Sequence, residues 1–283
     1  MNDSITPDTT ANTTADAAVT PQILDAAGTD IKTVWITGAS SGIGRALALR
    51  YATAGHTVFA SARSIDKLNE LATEANAMPG TIVAAPLDVT DAEAITGFIS
   101  QRIADSTLPD IAVLNAGFYE PTGLDELTLD HFEQTFAVNY LGVVKCMMAL
   151  LGHYRDHQTG HLVLVSSVAG YAGLPRAAAY GSSKAALINL AESIKPECDA
   201  RNIKVTVVNP GFVKTPMTDL NDFEMPFQID TDTAASRMFD GISAGKFEIT
   251  FPRRFTWMLK FLRILPYPLF FPVVRQLVKN EGK

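Results

Sequence analysis

Cysteine is almost absent: Cys146 and Cys198 are the only two in 283 residues. One pair is no disulfide framework and two thiols do not complete a zinc site, so the composition points to a reducing, cytoplasmic setting. A basic excess is missing too. The formal net charge of −7 argues against a nucleic-acid partner, because neutralising phosphates requires clustered Lys and Arg. Residues 1–30 hold five Asp, no basic residue and no aromatic. They lack the basic start and the apolar run of roughly 7–15 residues that a signal peptide needs. Rich in Thr and Ala, they read as a disordered extension, the alternative being a short arm packed on the body. Within residues 31–250 there is neither an internal repeat nor a low-complexity linker.

At 47% apolar and 19% charged, the chain has enough material for one large core, or two at most. Short apolar runs at 33–37, 57–61, 81–86, 110–115, 161–167 and 203–209 alternate with helix-like stretches near 43–54, 64–76, 91–105, 126–156 and 177–200. Strands covered by helices on both faces read as near-continuous apolar runs. The alternation therefore predicts a doubly wound, Rossmann-like α/β domain over 31–250, a parallel sheet in a three-layer α/β/α arrangement. Thr90 and Glu93 have capping-box spacing for the third helix.

The first run ends in Gly38-Ala39-Ser40-Ser41-Gly42-Ile43-Gly44, and a helical pattern starts at Arg45. Glycines at a strand-to-helix junction let the backbone approach a pyrophosphate that faces the helix N-terminus. A merely tight turn is the plainer reading, but the position directly after the first strand is the context a dinucleotide site requires. At the end of the second strand, Ala62-Arg63 stands where a carboxylate would bind the 2′-hydroxyl of NAD. A cation there accepts the 2′-phosphate of NADP(H), unless Arg63 is simply a solvated charge.

Tyr180 and Lys184 lie four apart on a helix and share one face. A free tyrosine titrates near pH ~10, and an adjacent ammonium favours its phenolate; each unit of lowering corresponds to about 1.4 kcal/mol. Ser167 closes the fifth strand, where open α/β sheets place their ligand crevice; Ser166 points to the opposite side. Taken alone, a Tyr-x-x-x-Lys spacing usually means surface packing.

The glycine turn, Asn115-Ala116-Gly117, Asn139, Ser167, Tyr180 with Lys184, and Pro210-Gly211 occur in one order over about residues 33–216. The set resembles the short-chain dehydrogenase/reductase family. The resemblance implies that Tyr180 moves the proton, Ser167 steadies the substrate oxygen, Lys184 holds the ribose and lowers the tyrosine's pKa, and Asn139 keeps a relay water. It implies further cofactor contacts from Gly38, Ser40, Ser41, Gly42, Ile43, Gly44, Asp88, Val89, Asn115, Ala116, Gly117, Pro210, Gly211, Val213 and Thr215; Asp88 could instead cap the next helix. It also implies a homo-oligomer, dimer or tetramer, and a mobile substrate lid at 212–230. The Phe and Met residues of that lid favour an apolar substrate, or pack the loop down. The expected activity is hydride transfer between NADP(H) and a carbonyl or secondary alcohol. The alternative is a catalytically silent dinucleotide-binding sensor or scaffold.

His153, His157 and His161 recur every four residues, but Gly160 interrupts them and no carboxylate completes a metal motif, so no metal site is expected. Cys146-Met147-Met148 reads as core. The tail 251–283 carries seven Lys or Arg against Glu281 alone. Its apolar residues surround a narrow polar stripe of Thr256, Lys260 and Arg263 until Pro266 and Pro268 break the helix. Its longest uncharged run, 264–274, has eleven residues, short of the ~20 that span a bilayer. Such a segment suits peripheral contact with the inner membrane face, or packing on a neighbouring subunit or over the active site.

Overall fold

Residues 31–222 and 225–280 are described by the computed structural model, side chains through Arg275; the N-terminal extension and Phe223 lie outside the described residues. Seven parallel strands form one sheet: β1 (Thr33–Thr37), β2 (Thr57–Ser61), β3 (Thr81–Ala84), β4 (Ile111–Leu114), β5 (His161–Val165), β6 (Lys204–Pro210) and β7 (Glu248–Phe251). Their spatial order, β3-β2-β1-β4-β5-β6-β7, reverses direction between β1 and β4. The crevice at such a switch point is where open α/β sheets bind ligands. The seventh strand was not foreseen. It is an edge strand of four residues with alternating burial, so it never forms the continuous apolar run of an inner strand.

Helices α1 (Gly42–Thr53), α2 (Ile65–Glu74), α3 (Ala92–Ala104), α4 (Leu129–Phe136), α5 (Gly142–His157), α6 (Ala178–Asp199) and α7 (Thr231–Ser243) cover both faces. Side-chain alternation along β1 divides the core. Val34 and Ile36 face α1, α2 and α7 together with Leu47, Tyr51, Leu68 and Met238. Trp35 faces α3, α5 and α6 with Ile95, Leu150, Tyr154 and Leu187. Trp35 is fully buried and donates its indole N–H to Ser61 Oγ at 2.9 Å.

Local signals were read correctly in kind and misplaced in detail. Asp91, not Thr90, caps α3, accepting from Ala94 N at 2.9 Å, because Thr90 is committed to Asp88. The expected helix 126–156 is α4 and α5 joined by a π turn, Ala137–Leu141. The continuous stretch Leu129–His157 is long and apolar enough to cross a membrane by length and composition. Here it packs on α3 and α6 and buries Asn139 and Tyr154 in the domain. After it the chain turns through Gln158 and Gly160, both at positive φ, and a Cβ on Gly160 would lie 2.5 Å from the Tyr154 ring.

The tail is not separate from the domain. Helix α8 (Arg253–Ile264) and helix α9 (Tyr267–Asn280) supply Phe255, Leu259, Leu262 and Phe270 to the core on the α6 side. Pro266 ends α8 as expected, but Pro268 then lies in the first turn of α9, where a missing N–H costs nothing. Two members of the expected polar stripe turn to β7, Thr256 buried against Thr250 and Lys260 paired with Glu248, while Arg263 stays exposed.

Candidate active site

The turn from β1 into α1 depends on glycine. Gly38 and Gly42 have φ of +69° and +55°, and a Cβ on Gly44 would lie 2.4 Å from the Gly38 carbonyl oxygen. Asn115 ties this turn to the end of β4: its Nδ2 donates to Thr37 O and Gly38 O, while Thr37 Oγ1 accepts from Asn115 N and Ala116 N. The Ser41 side chain makes no capping bond and the first turn of α1 contains no acid. The free N–H groups and positive end of the helix are thus left for an anion.

A cleft of about 740 Å³ runs from this turn across the sheet ends. At one end stand Ala62, Arg63, Ser64 and Lys67 with Asp88, Val89 and Thr90. Arg63 is exposed and contributes to the field on Asp88. Asp88 accepts from Thr90 N and Thr90 Oγ1, both at 2.8 Å, closing its own turn rather than capping a helix. The Thr90 backbone N–H above all, then its hydroxyl and the cations Arg63 and Lys145, hold the Asp88 carboxyl below the usual range.

At the other end Ser167, Tyr180 and Lys184 converge with Asn115, Ala116, Gly117, Pro210, Gly211, Val213 and Thr215. Ser167 begins a short turn after β5; its Oγ accepts from Ala169 N at 3.1 Å and donates to Pro210 O at 3.4 Å. Ser166 faces away and donates to Lys184 O at 2.7 Å. Lys184 Nζ donates to Val165 O at 3.0 Å and lies 5.6 Å from the centre of the Tyr180 ring. Burial pushes the Tyr180 phenol up, opposed only by the Ser167 hydrogen bond, and pulls Lys184 down to about 8. Desolvation disfavours the charged form of each group.

Of the anticipated residues, Gly44 and Asn139 are outside the cleft lining. Gly44 is packed beneath the turn. Asn139 is fully buried in the π turn: its Oδ1 accepts from Phe118 N at 2.6 Å, and its Nδ2 donates to Phe118 O at 2.9 Å and Ser183 Oγ at 3.2 Å. Since Ser183 in turn donates to Tyr180 O at 2.7 Å, Asn139 joins the β4 loop to the tyrosine's helix.

Tyr119 was missed. Its ring meets Tyr180 edge-on with centroids 4.8 Å apart, and its hydroxyl donates to Asn221 Oδ1 at 2.8 Å. Its place directly after Asn115-Ala116-Gly117-Phe118 was the available signal. Lys67, on the first turn of α2, was missed because it is one helical turn from Arg63 rather than beside it. In the anticipated lid, Arg176 pairs with Asp222, and Met217 lines the cleft with Phe118, Val138 and Pro216. Phe227 instead meets Phe255 of α8. The three histidines are not brought together: His153 stacks on His157 at 3.9 Å, whereas His161 Nε2 bonds Thr206 Oγ1 at 2.8 Å across β5 and β6.

The glycine cradle, the uncapped α1 end, the cations at Arg63 and Lys67 and the polar triad across the sheet match the charge and length of a nicotinamide dinucleotide. The sequence model of the family described as short chain dehydrogenase matches residues 32–224. An uncharacterized oxidoreductase of Myxococcus xanthus is 37% identical over 246 residues, 87% of this chain and 97% of the relative. A 3-oxoacyl-(acyl-carrier-protein) reductase of Thermotoga maritima is 35% identical over 188 residues, 66% of this chain and 76% of that one. Among solved structures, a short-chain dehydrogenase from Sphingobium yanoikuyae in complex with NADPH aligns with a TM-score of 0.72 at 25% identity, over 78% of this chain and 88% of its own. An alcohol dehydrogenase from the archaeon Thermococcus sibiricus complexed with 5-hydroxy-NADP aligns with a TM-score of 0.71 at 25% identity, over 78% and 96%.

Proposed function

Because this chain belongs to the short-chain dehydrogenase family, we propose that it reduces a carbonyl group on an apolar substrate with NADPH, Tyr180 being the proton donor. The observation that carries this reading is the convergence of Ser167, Tyr180 and Lys184 in one cleft that leads back to the glycine turn. A bound nicotinamide dinucleotide supplies the hydride. Ser167 offers a hydroxyl to the substrate oxygen, and Tyr180 delivers a proton to that oxygen as charge develops on it. A phenol raised by burial is protonated at neutral pH, which suits reduction. Lys184, brought down to about 8 by burial, is close enough to neutrality to pass a proton back toward Tyr180 after turnover. Asn139 holds Phe118 and Ser183, and through them the tyrosine's position.

The preference for the phosphorylated dinucleotide rests on Ala62 standing where a carboxylate would repel a 2′-phosphate, with Arg63 and Lys67 beside it. The apolar substrate rests on Phe118, Val138, Pro216 and Met217 in the cleft lining.

The test is NADPH consumption with a panel of ketones and aldehydes, for the native chain and for Tyr180→Phe. The variant is expected to lose about 10²–10⁴ in kcat while binding NADPH as before. Equal rates would remove Tyr180 from the chemistry. A native chain that binds NADPH and turns over none of the panel would make this a silent dinucleotide sensor.

A further inference from the structure

Helix α8 is apolar on two opposite faces, and the fold uses only one of them. Phe255, Leu259 and Leu262 are buried against the domain. On the other side Trp257, Phe261 and Ile264 follow at i, i+4 and i+7 in one stripe and are 70%, 62% and 74% exposed. Met258 flanks the stripe, and α9 extends the surface with Tyr267, Leu269 and Phe271, all exposed. Two of the helix's polar side chains, Thr256 and Lys260, turn to Thr250 and Glu248 of β7 instead of interrupting the patch. Isolated exposed apolar side chains are ordinary on a soluble protein, whereas a contiguous patch of large ones marks an interaction surface.

The charge around the patch identifies what it meets. Arg253, Arg254, Arg263 and Arg275 are exposed, and the sequence from 251 to 280 contains no acid, on a chain whose net charge is −7. A second copy of the same face would set these arginines against their own images with no anion between them. An anionic lipid surface supplies phosphates for the guanidinium groups and an acyl boundary for Trp257, Phe261 and Ile264. Trp and Tyr are the side chains that settle at headgroup depth. With twelve residues in α8, about 18 Å long, and a break at Leu265-Pro266 before α9, neither helix spans a bilayer, but both can lie in its plane.

We propose that the outer face of α8 and α9 docks this protein peripherally on membranes containing anionic phospholipid. Trp257 provides its own reporter. The chain has two tryptophans, and Trp35 is fully buried beneath the sheet, so a change in emission on adding vesicles comes from Trp257.

The experiment uses the full-length protein with sedimented vesicles of phosphatidylcholine alone, or of phosphatidylcholine mixed with phosphatidylglycerol, some carrying brominated acyl chains. Only the phosphatidylglycerol vesicles are expected to pellet the protein, with blue-shifted emission that the brominated chains quench and that added salt reverses. Arg253→Ala with Arg254→Ala should weaken binding about thirtyfold, from roughly 1 kcal/mol per cation at an anionic surface. Trp257→Ser, Phe261→Ser and Ile264→Ser combined should reduce pelleting to background while the circular dichroism spectrum stays native, since all three side chains point away from the fold. Absence of pelleting and quenching with phosphatidylglycerol vesicles would overturn the proposal. So would retained binding by the triple variant. If the triple variant instead changes the oligomeric state in gel filtration and the native protein ignores vesicles, the face is a contact between copies of this chain. Because no turnover is measured, the outcome is independent of the catalytic reading.

Discussion

Tyr180 is a phenol whose pKa burial pushes up, and it stands with Ser167 and Lys184 in the cleft lining. Arg63 and Lys67 line the far end of the cleft and Ser167 the near end. Arg63→Ala is expected to weaken NADPH about tenfold and to leave NADH nearly unchanged, one charge-assisted hydrogen bond at an exposed site being removed. Titrating both dinucleotides against the variant by fluorescence decides it, and equal losses would mean the phosphate contact lies elsewhere. Arg63 was legible as a cleft residue because it closely follows the end of β2. Tyr119 and Lys67 were not, since one depends on how the β4 loop folds over α6 and the other on the rotation of α2.

At the level of elements, β5 and β6 are tied by a side-chain chain as well as by their ladder. Thr206 Oγ1 donates to Lys246 O at 2.6 Å, so its single proton is committed and the His161 Nε2 must be the donor in the bond between them. Burial, with the Lys204 ammonium adding to it, lowers the His161 pKa to about 4 from 6.5 and so favours the neutral imidazole in the fold. Between those two values the unfolded chain binds a proton that the folded chain refuses. Stability from this group is complete above pH 6.5 and is lost as the pH falls toward 4, up to about 3 kcal/mol. Urea midpoints measured at neutral pH and near pH 5 should fall more steeply for the native chain than for His161→Gln. Identical slopes would show that the imidazole is protonated in both states. The strands themselves were read from apolar runs, two of them to the residue, because burial on both faces leaves that signature. Edge strand β7 and helix α7 leave none, since each is half exposed and set by its neighbours.

For the whole molecule, the decisive contact is the network that fastens the tail. Glu248 of β7 accepts from Tyr171 at 2.6 Å and from Asn209 at 3.1 Å, and pairs with Lys260 of α8. Burial works to raise its pKa, but these partners together hold it below the ordinary value. The same helix places Phe255 against Phe212 at 5.4 Å, so the tail supports the segment that follows Pro210-Gly211 in the cleft. Lys260→Ala is expected to cost about 1–3 kcal/mol by leaving a half-buried carboxylate short of its cation, seen as a lower Tm. An unchanged Tm would mean that the apolar contacts of Phe255, Leu259 and Leu262 hold α8 unaided.

By itself the sequence determined the alternation of strands and helices, the glycine turn and the order of the polar triad, because each is carried by neighbours in the chain or by a spacing of four residues. Three things were decided only when the elements packed. Asn139 became a strut between Phe118 and Ser183. The tail became part of the core, with Thr256 and Lys260 turned to β7 and an apolar face outward. Burial at the site pushes the Tyr180 phenol up. Each depends on which surfaces lose water, and that is a property of contacts between distant segments.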